Sequence, residues 1–482
     1  MKSCSIASRG AFAASTLVLA LGLTACADMS GIKPQSTLRE PATFGLTHDA
    51  AAIPQVQAQW WREFGDAQLN GLIEQALTSS PSLKLAQARL ARAQSVNEVA
   101  DAALLPQVNG ALDLTHQRYT KNGAVPPPLA GSIRDSGTLQ LSASWEIDFF
   151  GKYSAALDSA LGTVNAAKAD AQAARVLLAS SVARTYFQLA RVNDQLVVAR
   201  RALAQREQTL GLVRDRVNAG LDTNLELRQS EGGLPESRQQ IEALQEQGVL
   251  TRNALAALVG QPGIAASIKP QALPMSRARI VATSIPADLL GRRADIAAAR
   301  ERVQAAGYDV SSAKAQFYPN INLVAFAGLS SIGLGRLLDA GSQQWGVGPA
   351  IRLPIFEGGR LRANLRGRTA DLDAAVESYN SAVIDAVHDV ADQVASAQSI
   401  TRQQVQQALA QSAAESAYEI AVQRYKAGLS NYLSVLTAET NVLAQRRQAV
   451  DLAARSLDTQ IALIRALGGG YAVEPVATTA QK

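Results

Sequence analysis

Along most of this chain, apolar residues return every three or four positions. In residues 152–219, which hold no proline and only Gly162 and Gly211, the series runs Val182, Leu189, Val192, Leu196, Ala199, Leu203, Leu210, Val213 and Val217. Only Thr185 and Arg206 interrupt it. That spacing is a heptad seam. It predicts a helix about 100 Å long at 1.5 Å per residue, in left-handed coiled-coil packing. A second seam, Leu429, Leu436, Leu443, Val450, Leu457 and Ile464, predicts another helix near the end of the chain.

Two stretches change period. From Leu139 to Ile147 every second residue is apolar (Leu139, Leu141, Ala143, Trp145, Ile147), alternating with Gln140, Ser142, Ser144, Glu146 and Asp148. Period two predicts a strand with one greasy and one wet face. Val108, Leu112 and Leu114 mark a weaker partner, across a loop containing Asn122-Gly123 and Pro126-Pro127-Pro128. Residues 321–329 and 345–355 predict a second pair around a glycine-rich linker, with Pro349 and Pro354 weakening the last strand.

The pattern occurs twice. Arg216-Val-Asn-Ala-Gly-Leu-Asp-Thr-Asn-Leu225 is echoed by Arg424-Tyr-Lys-Ala-Gly-Leu-Ser-Asn-Tyr-Leu433, and Ala257-Leu-Val-Gly260 by Ala466-Leu-Gly-Gly469. Each half reads short helix, two strands, long helix, turn, medium helix, which implies a duplicated domain. The short helix (81–105) and medium helix (222–259) placed end to end nearly match the long helix in length. The expected division is a signal segment at 1–25, an N-terminal segment and equatorial strap at 26–80, a first repeat at 81–262, a connector at 263–290, a second repeat at 291–470 and a flexible tail at 471–482. Gly232-Gly233-Leu234-Pro235 falls inside the first medium helix, where helix-breakers predict a kink.

The N-terminus qualifies this picture. Lys2 and Arg9 precede an apolar run from Ala11 to Leu23, too short to span a bilayer but suited to a secretory signal. It ends in Leu23-Thr24-Ala25-Cys26, which resembles the lipobox of bacterial lipoproteins; by that resemblance Cys26 carries an N-acyl and S-diacylglycerol lipid, and Ala27 favours the outer membrane. Cys4 leaves with the signal, so the mature chain has no disulfide. No later stretch is apolar enough for a membrane helix, so any spanning element must be a β-barrel. Four strands are too few, since bacterial barrels begin at about eight. Three copies would supply twelve.

Composition excludes other functions. The chain is 47% hydrophobic but only 5% aromatic, the balance of long packed helices, and its net charge of +5 accompanies no basic tract of the nucleic-acid kind. His48, His116 and His388 lack metal-ligand spacing, and no nucleophile elbow or phosphate loop is present. We therefore expect no enzyme, metal or dissociable cofactor. Three methionines, one of them Met1, disfavour a thioether path for copper. Arg360, Arg362, Arg366 and Arg368 cluster where the second long helix begins, facing either anionic headgroups or solvent.

Several ordered motifs resemble the TolC-like outer-membrane efflux family, in its lipoprotein branch. Trp60-Trp61-Arg-Glu-Phe-Gly-Asp-Ala-Gln-Leu69 resembles its N-terminal motif and Phe356-Glu-Gly-Gly-Arg360 its strand-to-helix junction. Leu290-Gly-Arg-Arg-Ala-Asp-Ile296 resembles the start of its second repeat, with Ala294 where a proline is usual. The match spans roughly residues 55–470. It implies a mainly α fold with a small β part: as a homotrimer, a 12-stranded outer-membrane barrel continued by a periplasmic helical barrel. It also implies a passive exit duct for small molecules, coupled through a periplasmic membrane-fusion adaptor to an inner-membrane transporter. Leu433, beside Tyr432, aligns with the leucine of the family's periplasmic gate, and Leu225 is its first-repeat counterpart. Thr437 and Gln229 stand where the gate's aspartates are expected, which implies a mainly steric closure. The turns Gly220-Leu221-Asp222 and Gly428-Leu429-Ser430 are the expected adaptor-docking sites. Glu439 and Asp222 are expected on a solvated outer face. An unpartnered porin and a pore-less coiled-coil protein are the competing readings.

Overall fold

The computed structural model describes residues 29–40, 43, 56–273 and 289–471. The signal segment, Cys26, most of the connector and nearly all of the C-terminal tail lie outside the described residues. Among those described, the elements run α1 (Ala67–Ser79), α2 (Pro81–Ala102), β1 (Gln107–Arg118), β2 (Ile133–Ile147), α3 (Lys152–Asn218), α4 (Asn224–Val259), α5 (Ala294–Ala315), β3 (Asn320–Ile332), β4 (Gln343–Arg352), α6 (Arg360–Lys426) and α7 (Tyr432–Ala466). The two halves match closely in length: α2 and α5 have 22 residues each, α3 and α6 have 67 each, and α4 and α7 have 36 and 35. No described helix is long and apolar enough to cross a membrane.

Two compact units emerge, and each draws on both halves of the sequence. The first comprises residues 1–38, 90–167 and 299–379; the second comprises 39–89, 168–298 and 380–482.

The first unit holds one antiparallel sheet in the order β1-β2-β3-β4. The pairing of Leu112 with Leu139, Leu139 with Leu329, and Ala327 with Trp345 fixes one face of the sheet. On that face stand Val108, Leu112, Leu114, Leu139, Leu141, Trp145, Leu323, Trp345, Val347 and Ile351, every one of them exposed. The opposite face carries Gln140, Ser142, Ser144, Glu146 and Asn322. Phe326 is an exception on this wet side, lying over Gly346, where a Cβ would come within 2.6 Å of its ring. The last strand ends at Arg352 rather than at 355. Pro354 has no N–H to give the ladder, and Ile355 and Phe356 turn outward into exposure. Pro349 is tolerated because β4 is an edge strand. A small core, Val310, Ala313, Phe317, Leu361 and Leu365, ties α5 to the start of α6, and Met29 and Ile32 pack onto it.

The second unit is built around Trp60, Trp61, Leu69, Ile73, Tyr186, Phe187, Leu189, Leu255, Leu457 and Ile461. Asp66 caps α1 by accepting the Gln68 and Leu69 amides at 2.9 and 3.1 Å, and its other oxygen takes the Tyr186 hydroxyl at 2.6 Å. One carboxylate thus starts a helix and pins it to α3, which accounts for the aspartate within the Trp60–Leu69 motif. At the other end of the unit's sequence, Gly468, Gly469 and Gly470 all have positive φ. A Cβ on Gly468 would stand 1.9 Å from the Arg292 carbonyl oxygen.

Boundaries near the turns differ by a few residues. α2 stops at Ala102, and Trp145 donates its indole N–H to the Leu104 carbonyl at 2.8 Å in the connection. α4 starts at Asn224, because Thr223 and Glu226 form a reciprocal capping box that ends the turn there. The Gly232–Pro235 segment does not interrupt α4, which runs unbroken from 224 to 259. Support comes from α3: the Arg206 guanidinium donates to the Gly233 carbonyl at 2.8 Å and to the Ser237 hydroxyl at 3.0 Å.

Candidate functional site: the helix tips and the exposed sheet

Both long helices end in the same way. Gly220 and Gly428 each have φ of 73°, the left-handed conformation that terminates a helix. The Leu221 amide donates back to the Arg216 carbonyl at 2.8 Å, and the Leu429 amide to that of Arg424 at 2.8 Å. Bonds of shorter sequence span, from the Gly220 amide to the Val217 carbonyl and from the Gly428 amide to the Tyr425 carbonyl, both 3.0 Å, complete two matching Schellman motifs. Leu221 and Leu429 stand exposed at the two tips. Ser430 is half-buried, its hydroxyl without a hydrogen-bond partner.

Asp222 does not lie on a solvated face, contrary to the expectation. Arg216 grips it through two bonds of 2.9 and 3.2 Å, and the Tyr425 hydroxyl donates to the same carboxylate. Arg216 also reaches the Tyr425 carbonyl at 3.1 Å and lies over the Tyr425 ring at 4.6 Å. The arrangement ties the first-repeat tip to the second. The Arg216 hydrogen bond holds the Asp222 carboxyl below the ordinary carboxylate range, despite opposing desolvation. Burial, followed by the adjacent Asp222, pushes the Tyr425 phenol up.

Glu439 also departs from the expectation. It is 2% exposed, within the seam of α7, and bonds to Arg206 at 2.6 Å. The physical reason lies across the helix pair. Arg206 interrupts the apolar series of α3, and a guanidinium placed there needs a carboxylate opposite it. Two turns along α7, Arg446 is likewise buried, bonded to Glu415 at 2.5 and 2.7 Å and to Gln205 at 2.9 Å. The Glu415 carboxyl is lowered, first by that hydrogen bond. Sequence reasoning missed both pairs; the interruption at Arg206 was the signal for the first.

The gate residues separate into two groups. Leu433 and Thr437 share an exposed face of α7 and line an open groove of about 710 Å³ with Ala410, Ala413, Ala414 and Ala417 of α6. The Thr437 hydroxyl donates to the Leu433 carbonyl at 2.9 Å, so it is spent on its own helix. Leu225 and Gln229 stand exposed on α4, one turn apart. Tyr432 is not on the Leu433 face: it is buried beside Tyr425, ring centroids 6.0 Å apart, in a cluster with Val213, Val435 and Val442.

No group of three or more metal-ligating side chains occurs among the described residues. His116 pairs with Asp135 at 2.6 Å and His388 with Asp392 at 3.4 Å, all exposed. The Arg360–Arg368 cluster is divided: Arg360 pairs with Glu357, Arg368 with Asp309 and Asp371, and Arg362 donates to the Ser30 carbonyl.

The family model described as outer membrane efflux protein matches residues 72–261 and again 285–469. The chain belongs to the outer membrane efflux protein family. It is 37% identical over 378 residues to a fusaric acid resistance protein, FusA, of Burkholderia cepacia, a match covering 76% of this chain and 70% of that one. It is 33% identical over 429 residues to the multidrug resistance outer membrane protein MdtP of Escherichia coli, covering 87% and 88%. Among solved structures, the outer membrane protein VceC of Vibrio cholerae aligns with a TM-score of 0.81 at 40% identity, covering 86% of this chain and 99% of that one. The mainly α fold with a small antiparallel sheet, the efflux function and the outer-membrane location expected from the motifs are those of this family. Its relatives are channel proteins rather than enzymes.

Proposed function

We propose that three copies of this chain form a passive outer-membrane exit duct, fed by an inner-membrane transporter through a periplasmic membrane-fusion adaptor. The observation that carries this is the sheet. Its apolar face is exposed along all four strands, and β1 and β4 each leave one edge unpaired. A four-stranded sheet with a greasy outside is an incomplete barrel; joining β1 of one copy to β4 of the next, three times over, closes twelve strands. The double family match and the equal helix lengths support duplication of residues 81–262 in 291–470. The same ring would place four helical rods per chain around a central lumen.

In this reading Cys26 is acylated and the tips perform the work. Leu433 with Thr437, and Leu225 with Gln229, narrow the lumen as an apolar and uncharged gate. Gly220-Leu221-Asp222 and Gly428-Leu429-Ser430 project toward the adaptor, and the cargo is small toxic organic compounds. Tyr432 contributes by packing behind the gate rather than by lining it. The test is in-cell photo-crosslinking from Leu221 and Leu429, 65% and 69% exposed, followed by mass spectrometry. Recovery of an adaptor is the expected result. Trimers whose tips capture no periplasmic or inner-membrane protein would refute the tripartite assembly in favour of a free-standing porin.

A further inference from the structure

We propose that the loop from Gly333 to Ser342, between β3 and β4, lies on the outside of the barrel at the outer-leaflet interface, with Leu334 and Leu338 seated among lipid acyl chains. The inference rests on the reading of the sheet's apolar face as the lipid-facing wall of a barrel. Its starting point is Gly137 of β2. Gly137 stands two residues before Leu139 and opposite Leu114, so it belongs to the apolar face. A Cβ there would come within 3.0 Å of a methyl carbon of Leu334, 3.0 Å of one of Leu337 and 3.3 Å of one of Leu114. Gly137 and Leu337 are buried, and Leu334 is left 44% exposed. The loop therefore folds back over the apolar face of its own sheet, in the room that the missing side chain at Gly137 leaves.

Gly137 is also where that face stops being apolar. Below it, toward the helices, come Leu139, Leu141, Ala143, Trp145 and Ile147. Above it the same face carries Asp135 and His116, ion-paired at 2.6 Å. The strand from Gly137 to Ile147 covers about 34 Å. At a tilt of about 40° that is about 26 Å of height, and the apolar band of an outer-membrane barrel is about 25 Å tall. With Ile147 at the periplasmic border of the band, the loop lies at its outer border.

The loop is built for such a border. Its backbone bonds within itself: the Leu337 amide donates to the Leu334 carbonyl at 3.1 Å, the Asp339 amide to that of Arg336 at 3.0 Å, and the Ser342 amide to that of Asp339 at 2.9 Å. The Ser342 hydroxyl adds a bond to the Arg336 carbonyl at 2.7 Å. Irregular backbone is excluded from the hydrocarbon interior, which keeps the loop at the interface and lets only its apolar side chains reach inward. Arg336 and Asp339 are exposed and suit the headgroup side, while Leu338 stands 81% exposed next to the buried Leu337. A second copy would not cover these leucines. It adds its β1 along the free edge of β4, whereas the loop leans the other way, from the end of β3 onto β2. Beside a wall that also exposes Leu114, Leu139 and Leu141, the occupant is lipid.

The test uses full-length protein carrying Leu338→Cys, Leu141→Cys on the sheet face or Asn122→Cys in the β1–β2 loop, each labelled with an environment-sensitive dye. Intact mass of the unsubstituted protein after labelling checks that it takes up no dye. The proteins are reconstituted in phosphatidylcholine vesicles and challenged with two quenchers: a phosphatidylcholine bearing a nitroxide high on its acyl chain, and iodide on both sides of the membrane. The Leu338 label is expected to be quenched by the nitroxide lipid at least about threefold more than the Asn122 label, and to be shielded from iodide. A Leu338 label that behaves like the Asn122 label, while the Leu141 label is quenched by lipid, overturns the placement of the loop and leaves the barrel standing. A Leu141 label open to iodide and untouched by the nitroxide lipid overturns the barrel wall itself, and the loop's lipid contact with it.

Discussion

Removing Arg206 while leaving Glu439 should be among the most damaging single changes in the helical tips. In Arg206→Ala, a carboxylate that is 2% exposed loses the guanidinium bonded to it, and the Gly233 carbonyl and Ser237 lose a donor. An unpaired buried charge costs about 3–5 kcal/mol. Unfolding entropy of about 2.1 cal/mol/K per residue gives this 482-residue chain a melting shift of about 1 °C per kcal/mol. The expected fall in Tm is therefore about 3–5 °C, followed by circular dichroism in detergent at fixed protein concentration. The control that makes the argument specific is Arg206→Met with Glu439→Leu. Removing both charges should recover most of the loss, because the damage comes from the orphaned carboxylate rather than from the missing contact. A double variant as unstable as Arg206→Ala, or an Arg206→Ala protein melting with the wild type, would refute the reasoning.

Three further outcomes are expected. Gly468→Ala forces a side chain against the Arg292 carbonyl at φ of 101° and should cost at least about 2 kcal/mol, whereas Gly211→Ala, with open space around it, should match or exceed wild-type stability; thermal melts compare them. The depressed Asp222 carboxyl contributes latch stability that is fully present above its ordinary value of 3.8 and disappears only as pH falls through its lower folded value. Closed-channel conductance should therefore stay flat from about pH 8 to 5, while Asp222→Asn should raise it at neutral pH; opening of the wild type near pH 6 would contradict this. Thr437→Asp should add cation selectivity and block by multivalent cations, read from reversal potentials in planar bilayers.

Most of the architecture was legible because it rests on period. The heptads of α3 and the alternation of β2 are set by which residues are apolar, and the repeat fixed their order. Two matters were not legible. Single-sequence patterns show a charged residue in a seam but not what faces it, so Glu439 and Asp222 were placed in solvent although Arg206 and Arg216 hold them. Adjacent residues on a helix point about 100° apart, which is why Tyr432 turns into the core while Leu433 faces the groove. Motif alignment locates a position along the chain; only packing decides its direction.

The bare sheet also constrains the life of a newly made chain. With Leu141, Trp345 and Ile351 exposed and both edge strands open, a lone subunit carries a ready template for strand pairing with another chain. Such a chain cannot linger unaccompanied in an aqueous compartment. Shielding of these strands until copies of the chain meet favours assembly over aggregation.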